Sequence, residues 1–338
     1  MSKRVKNLLF WGSGLAMIIV LDERKISIGW ISWLLIWFSW VALVDIAAWL
    51  LNRKGKKADE PAATQSDPRF DTAGKAFALL FNYHVSNLLF YLNPLLVTQS
   101  LLQLAGRLWE KTRGHPVLDA TQYQQKVNYV LPVTGEWFVS NGGITEETSH
   151  SWSIPSQRFA YDLVKQGPKG LSFAGDGRRL EDYFCFDAPI LAPADGAVVA
   201  ARDGIRDAPH VGTFWMDWLS RNIAGNSVLI QHAEEEYCLL AHLKRGSVRV
   251  KAGQVVKQGQ EIGRCGHSGN SSEPHLHSQF QNGKSLYFSS GLPVKFSGFA
   301  RKNDGEMQLV EADYISKKTT IVAGEEVVKG FTRLGVAD

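Results

Sequence analysis

The chain is poor in cysteine, with three among 338 residues. No two of them form a Cys-x-x-Cys pair, which excludes a structural zinc knuckle held by thiolates. Outside a reducing compartment one disulfide is allowed. Cys185 with Cys265 is the pairing expected, and three free or buried thiols are the alternative. Net charge is also scarce: 37 basic against 33 acidic residues give +4. With no patch of interleaved basic and aromatic residues, that balance argues against a nucleic-acid partner. A cleavage site is missing as well. Val5 to Leu21 is a short apolar run behind Lys3, Arg4 and Lys6, but no small-x-small triplet follows it, and Leu21 leads directly into Asp22-Glu23-Arg24-Lys25. A retained helix is expected there, not a removed signal peptide.

Apolar sequence is plentiful at the start of the chain. Ile26 to Val44 carries no charge, and the run continues past Asp45 to Leu51, long enough to span a bilayer. Trp30 and Trp49 suit the membrane interface, while Trp33, Trp37 and Trp40 suit packing against a neighbour. Residues 1–52 are therefore expected to form two transmembrane helices, and 53–74 a polar linker. Residues 75–117 form a third apolar segment, interrupted by Asn82, His84, Asn87, Asn93, Pro94, Gln99 and Gln103. It reads as a third span, an interfacial helix or a helical hairpin. Lys3, Arg4 and Lys6 before the first span, and Arg53, Lys54, Lys56 and Lys57 after the second, place both ends in the cytoplasm. A third crossing, packed on the tryptophan-rich second helix so as to shelter Asn87 and Asn93, would deliver everything from about Leu118 to the outside. The expected location is the cytoplasmic (inner) membrane, with the lipid bilayer as a partner and the main domain facing the periplasm or cell exterior.

The main domain, 118–297, is dense in short β-branched stretches separated by glycines. Ile190 to Ala200, Asn226 to His232 and Tyr237 to Leu243 read as strands, and Ala252 to Gly263 is a run of short strands and tight turns. Within this pattern lies Pro274-His275-Leu276-His277. Strand side chains alternate faces, so His275 and His277 point the same way while Leu276 points into the protein. Two imidazoles side by side are half of a zinc site. Residues 298–338, with Thr319 to Val322 and Glu326 to Val328, read as an added C-terminal β extension, a hairpin.

These residues carry a resemblance. Gly225-Asn226-Ser227-Val228 with Ile230 and His232, Ala241-His242-Leu243, Val255 to Gly263, and Gly266-His267-Ser268-Gly269 through His277 occur in the order and spacing of the lysostaphin-type (LytM-like) zinc metallo-endopeptidases, which cut bacterial peptidoglycan. The similarity covers roughly 135–295. It implies a mainly β, two-sheet hybrid barrel (a duplicated hybrid motif) carried by an α-helical membrane-anchoring N-terminal region. It also implies a bound Zn2+ and a peptidoglycan peptide as substrate. Carried over residue by residue, His277 and Asp162 would be metal ligands, and His242 and His275 the catalytic pair.

The chain departs from the family pattern at one ligand. Four residues before Asp162, where the family has histidine, stands Arg158, which stays protonated and cannot ligate a metal. One branch of the family resembles this chain, with Ser149-His150-Ser151-Trp152 upstream of Gln157-Arg158-Phe159-Ala160-Tyr161-Asp162. On that resemblance His150 is the third ligand, and Arg158 packs or pairs on a strand face. His232, His267, His210, His115 and His84 are read as structural. Three protein ligands would leave one position for water, which zinc acidifies. The expected function is a membrane-anchored zinc endopeptidase acting on peptidoglycan cross-links, restrained by a regulatory protein that sequence does not identify. The alternative is a non-catalytic peptidoglycan-binding or hydrolase-activating domain, for which Arg158 is the motive. A carrier or phosphotransfer domain of the same fold would need a swinging lysine or a phosphorylated histidine, and no such tip is visible.

Overall fold

A computed structural model describes residues 73–113, 118–303, 305–324 and 327. The two transmembrane helices expected in 1–52 and most of the linker lie outside the described residues. The chain divides into two compact units, Met1–Leu88 and Leu89–Asp338. The first contributes most of helix α1 (Ala73–Phe90), and the second contains helix α2 (Pro94–Arg113) and all the strands. Where the sequence offers one apolar stretch, the helix breaks at Tyr91–Asn93. Pro94 supplies a helix-ready first position without an N–H, and the Asn93 Oδ1 accepts from the backbone N–H groups of Leu95 and Leu96 at 3.0 and 3.4 Å. Among the described residues no single helix is long and apolar enough to cross a membrane; α1 and α2 reach that length and composition only together.

Twelve strands follow: β1 (Gly135–Asn141), β2 (Tyr161–Val164), β3 (Pro189–Leu191), β4 (Gly196–Arg202), β5 (Asn226–Ala233), β6 (Glu236–Leu243), β7 (Val255–Val256), β8 (Glu261–Arg264), β9 (Leu276–Gln281), β10 (Phe296–Asn303), β11 (Glu306–Asp313) and β12 (Thr320–Ala323). Ten of them form one antiparallel sheet in the order β11-β10-β12-β1-β2-β9-β6-β5-β4-β7, and β3 pairs with β8 in a second, small sheet. The two-sheet, mainly β expectation is met, but no closed barrel forms among the described residues. The edge strands β7 and β11 do not meet, because the C-terminal strands lengthen the large sheet beyond β1. Of the C-terminal hairpin expected from Thr319–Val322 and Glu326–Val328, the first stretch forms β12, which is inserted between β10 and β1 in the main sheet, and most of the second lies outside the described residues; β10 and β11 pair with each other beside it.

One core lies between the sheets. Ile190 of β3 and Ile262 of β8 are fully buried against Trp137, Tyr161, Ile230, Leu240, Leu276 and Phe280 of the large sheet. Burying such side chains contributes about 1.5–3 kcal/mol each. All six residues of β9 are buried, so this central strand is covered on both faces. Cys185, Cys238 and Cys265 are buried and free. The expected Cys185–Cys265 disulfide is thus corrected to the thiol alternative, with the Cys185 Sγ donating to the Pro274 carbonyl at 3.1 Å.

Candidate active site

Strand register assembles the site. Asp162 on β2 lies directly opposite His277 on β9, and His277 opposite Ala241 on β6. Directly opposed residues share a face, so Asp162 and His277 face the same side. His242, one residue past Ala241, has a left-handed backbone, φ 58°, at the end of β6. Such a conformation costs a non-glycine residue of order 1–3 kcal/mol and is found where surrounding structure imposes it. Here the His242 backbone is held on both sides, its N–H donating to Ala224 O at 3.0 Å and its carbonyl accepting from Gly266 N at 3.1 Å, and close by Gly225 and Gly269 meet at φ 64° and 83°. A Cβ on Gly269 would collide with the Gly225 backbone, and the pair brings the Ser268 carbonyl within 2.8 Å of the His242 Nδ1.

The five residues singled out from sequence meet around the Asp162 carboxylate. The His277 Nδ1 is 2.9 Å from Oδ1, the His150 Nε2 is 3.4 Å from Oδ2, and the His275 Nε2 is 3.7 Å from Oδ1. The His242 ring centre is 4.8 Å from that of His275 and 5.8 Å from that of His277. Three of the imidazoles, those of His242, His275 and His277, are oriented by their second nitrogen. The His242 Nδ1–H donates to Ser268 O and the His275 Nδ1–H to Glu273 O, both at 2.8 Å, so that when either ring is neutral its Nε2 carries the lone pair. The His277 Nε2–H donates to the Gln279 Oε1 at 2.9 Å, and the Gln279 amide is itself fixed by donating to Ser156 O and the Gln281 Oε1. That bond turns the His277 Nδ1 toward Asp162.

Charge follows geometry. Burial would push Asp162 up, but the hydrogen bond from His277 and the charges of His275, His277 and His150 outweigh it and hold the carboxyl well below its usual range. Burial likewise opposes charge on His277, yet its bond to Asp162 raises it. His242 is driven well below its ordinary value by burial and by His275 and His277, and His150 is lowered by burial against the pull of Asp162. The site is therefore a buried carboxylate with imidazoles around it, two of them with proton-accepting nitrogens.

The donor set suits zinc in kind: two imidazole nitrogens and one ionised carboxylate oxygen. Ligands about 2.0–2.1 Å from a tetrahedral zinc lie about 3.3 Å apart, against 2.9 and 3.4 Å for the His277–Asp162 and His150–Asp162 pairs. Among the described residues no three His, Cys, Asp or Glu side chains are already grouped as a metal centre; His277 is bonded directly to Asp162 instead.

Arg158 is outside this cluster. It follows a short 3-10 turn, Pro155–Gln157, and does not lie on a strand face as expected. It makes a two-pronged ion pair with Glu110 of α2, both contacts 2.9 Å, and donates to Trp152 O. Both partners are largely buried, so truncating one strands the other's charge. Arg158→Ala should cost about 3 kcal/mol and raise hydrogen exchange in α2, with bound metal unchanged.

Sequence reading also passed over a relay behind His275. His267, read as structural, is fully buried and contacts the Ser271 Oγ at 3.0 Å, which lies 3.2 Å from the His275 Nδ1. The signal was only its place in Gly266-His267-Ser268-Gly269. Burial and the charge of His275 pull His267 down to about 3. An unfolded histidine titrates near 6.5, so below that pH the unfolded chain binds a proton that the folded chain refuses. Stability should fall as pH drops from about 6.5 to 3, by up to about 1.4 kcal/mol per unit. Urea unfolding midpoints between pH 7 and 4 should show this slope, flattened in His267→Gln.

A groove of about 560 Å³ occupies the same face of the sheet, lined by Arg202, Asn222, Leu229, Leu239, Lys284 and Tyr287 among others. Leu239 opposes Gln279 and Leu229 opposes Leu239, so the groove floor is continuous with the face bearing His277. Helix α2 joins the loops on either side. The Asn93 Nδ2 donates to Trp218 O and Ser220 O, and Gln99 bonds Arg221 O and Ile223 N. Gly106 lies so close to Tyr287 O that a Cβ would overlap it. Asn93, expected against a transmembrane neighbour, instead holds this loop.

Residues 181–288 match the model of peptidase family M23. This stretch is a LytM-like M23 domain; it includes His242, His275 and His277, while His150 and Asp162 lie before it. An uncharacterised metalloprotease of Haemophilus influenzae is 35% identical over 113 residues, 32% of this chain and 19% of that protein. The cell division protein DipM of Caulobacter vibrioides is 36% identical over 117 residues, 34% of this chain and 16% of that protein. The peptidoglycan DD-endopeptidase ShyC of Vibrio cholerae is 36% identical over 90 residues, 27% of this chain and 18% of that protein. The chain thus spans less than a fifth of the length of each of these relatives.

Proposed function

We propose that this chain is a membrane-anchored zinc endopeptidase that hydrolyses peptide cross-links of bacterial peptidoglycan. The gathering of His150, His275 and His277 on the Asp162 carboxylate, with His242 packed against the last two, on the sheet face that carries the groove, is the observation on which this reading rests. The M23 domain and a relative named as a peptidoglycan DD-endopeptidase support it. His150, Asp162 and His277 would hold the metal, and Gln279 would keep the His277 Nδ1 presented. Bound zinc supplies a Lewis acid and lowers the pKa of water. The Nε2 of His242 or His275 accepts the proton of the attacking water, and the imidazolium so formed returns it to the leaving amine. The groove over Leu229 and Leu239 would seat the peptide, with Lys284 and Arg202 at its rim facing peptide carboxylates. Residues 1–52 would anchor the chain in the cytoplasmic membrane, with the domain outside, where the wall polymer lies.

The test is metal analysis of the full chain together with digestion of purified peptidoglycan and mass analysis of the fragments. One zinc per chain and fragments carrying a new amine and a new carboxylate are expected. A metal-free chain that leaves the polymer uncut would overturn the reading in favour of a binding or hydrolase-activating role.

A further inference from the structure

Helix α2 is amphipathic with its polar side turned inward. Leu96, Gln99, Gln103, Gly106 and Glu110 recur at helical spacing, and all are buried or half-buried. Gln99, Gly106 and Glu110 make the contacts to the domain given above. The opposite stripe, Val97, Leu101, Leu104 and Leu108, is apolar, and Leu101, Leu104 and Leu108 are 60%, 51% and 56% exposed. The loops that α2 touches add Leu219 and Phe288, both exposed. Elsewhere after Leu89, among the described residues, the exposed large apolar side chains are Tyr91 and Leu92 in the break before α2, Leu95 and Trp109 on other sides of α2, and the scattered Phe184, Val255 and Leu309. Leu101, Leu104 and Leu108 follow one another at one-turn spacing, and an exposed apolar stripe of this kind marks an interaction surface.

We infer that this face of α2, with Leu219 and Phe288, seats the catalytic domain on the surface of a lipid bilayer, α2 lying flat rather than crossing. Three observations favour lipid over another occupant. The inner face is committed to the domain through Asn93, Gln99 and Glu110, so the helix cannot be surrounded by hydrocarbon. Arg107 and Lys111 are exposed beside the apolar stripe, and Glu110, the sole acid of the helix, is turned inward to Arg158; what faces outward is apolar and basic, complementary to anionic headgroups. Upstream, the uncharged stretch Ile26 to Val44 is of bilayer-spanning length, so the chain that precedes α2 brings it to a membrane. Interfacial helices of this pattern bury their apolar face about 5–10 Å into the headgroup and acyl boundary. The inference rests on the proposed membrane anchorage and not on the metal chemistry; with α2 flat, the domain lies outside only if the chain before Pro94 makes an odd number of crossings, which replaces the third crossing expected through 75–117.

The test uses the full chain in vesicles of phosphatidylethanolamine and phosphatidylglycerol. All three native cysteines are fully buried, so an environment-sensitive thiol probe reports from an introduced one. Leu104→Cys places it on the apolar stripe, and Leu309→Cys on exposed strand β11 is the control. Vesicles containing brominated lipid should remove most of the fluorescence at position 104 and leave that at 309 unchanged. Flotation with the vesicles but equal quenching at the two positions would overturn this inference alone. Failure to float would remove it together with the membrane anchor. A Leu104→Cys chain that cross-links to a second copy, without lipid quenching, would overturn it in favour of self-association.

Discussion

His277→Ala is expected to strip the chain of zinc, from one ion to none per chain, and to abolish cleavage of peptidoglycan. His277 stands opposite Asp162 in the sheet, 2.9 Å from its carboxylate, and is oriented by Gln279. Its removal takes away one of three proposed donors and releases the carboxylate from the hydrogen bond that, against burial, keeps it ionised. His150→Ala should weaken binding by orders of magnitude, because it removes the imidazole that stands 3.4 Å from the second carboxylate oxygen, Asp162 Oδ2, and is one of the three proposed donors. Metal analysis after dialysis against a weak chelator distinguishes these cases. Full zinc retention in His150→Ala would remove that residue from the site, and Arg158→Ala serves as the control that should keep its metal.

His242→Ala and His275→Ala should separate metal from turnover. Neither side chain is a proposed ligand, so zinc content should stay near one per chain. Turnover should fall by about 10²–10⁴-fold, the usual range for proton-transferring or electrostatic groups. The two residues differ in their support. His275 is fixed through its own Nδ1 by Glu273 and Ser271, whereas His242 depends on a left-handed backbone and the Ser268 carbonyl. Either variant cutting at the wild-type rate with zinc in place would show that the proton is carried by the other imidazole alone.

Much of this site was legible because period-two alternation needs no tertiary information. His275-Leu276-His277 placed Leu276 in the core, where it is fully buried, and the spacing of Asp162 and His242 followed family order. Other features were hidden because they depend on residues far apart in sequence. The partner of Arg158 is 48 residues away, and a lone arginine in place of a histidine suggests loss of function as readily as a structural ion pair. The relay from His267 to His275 appears only when the loop between them folds back. Helix α2 misleads a hydropathy reading most of all, since Gln99 and Gln103, which count against a membrane span, make up the face that packs on protein. The closed barrel failed as an expectation: Thr319–Val322 was legible as a β stretch, but its place as β12 between β10 and β1 in the large sheet depends on partners far away in sequence.

The position of β12 also bears on when the domain can form. Thr320–Ala323 is clasped between β10 and β1, and β1 pairs with β2, which carries Asp162. Contacts between residues near 135 and near 323 are among the longest-range in the sheet, and such pairings form late because loop closure opposes them. A chain emerging N-terminus first holds an incomplete β1 edge until residue 323 is free. The strand that carries the Asp162 carboxylate is therefore held on both sides only after nearly all of the domain has emerged.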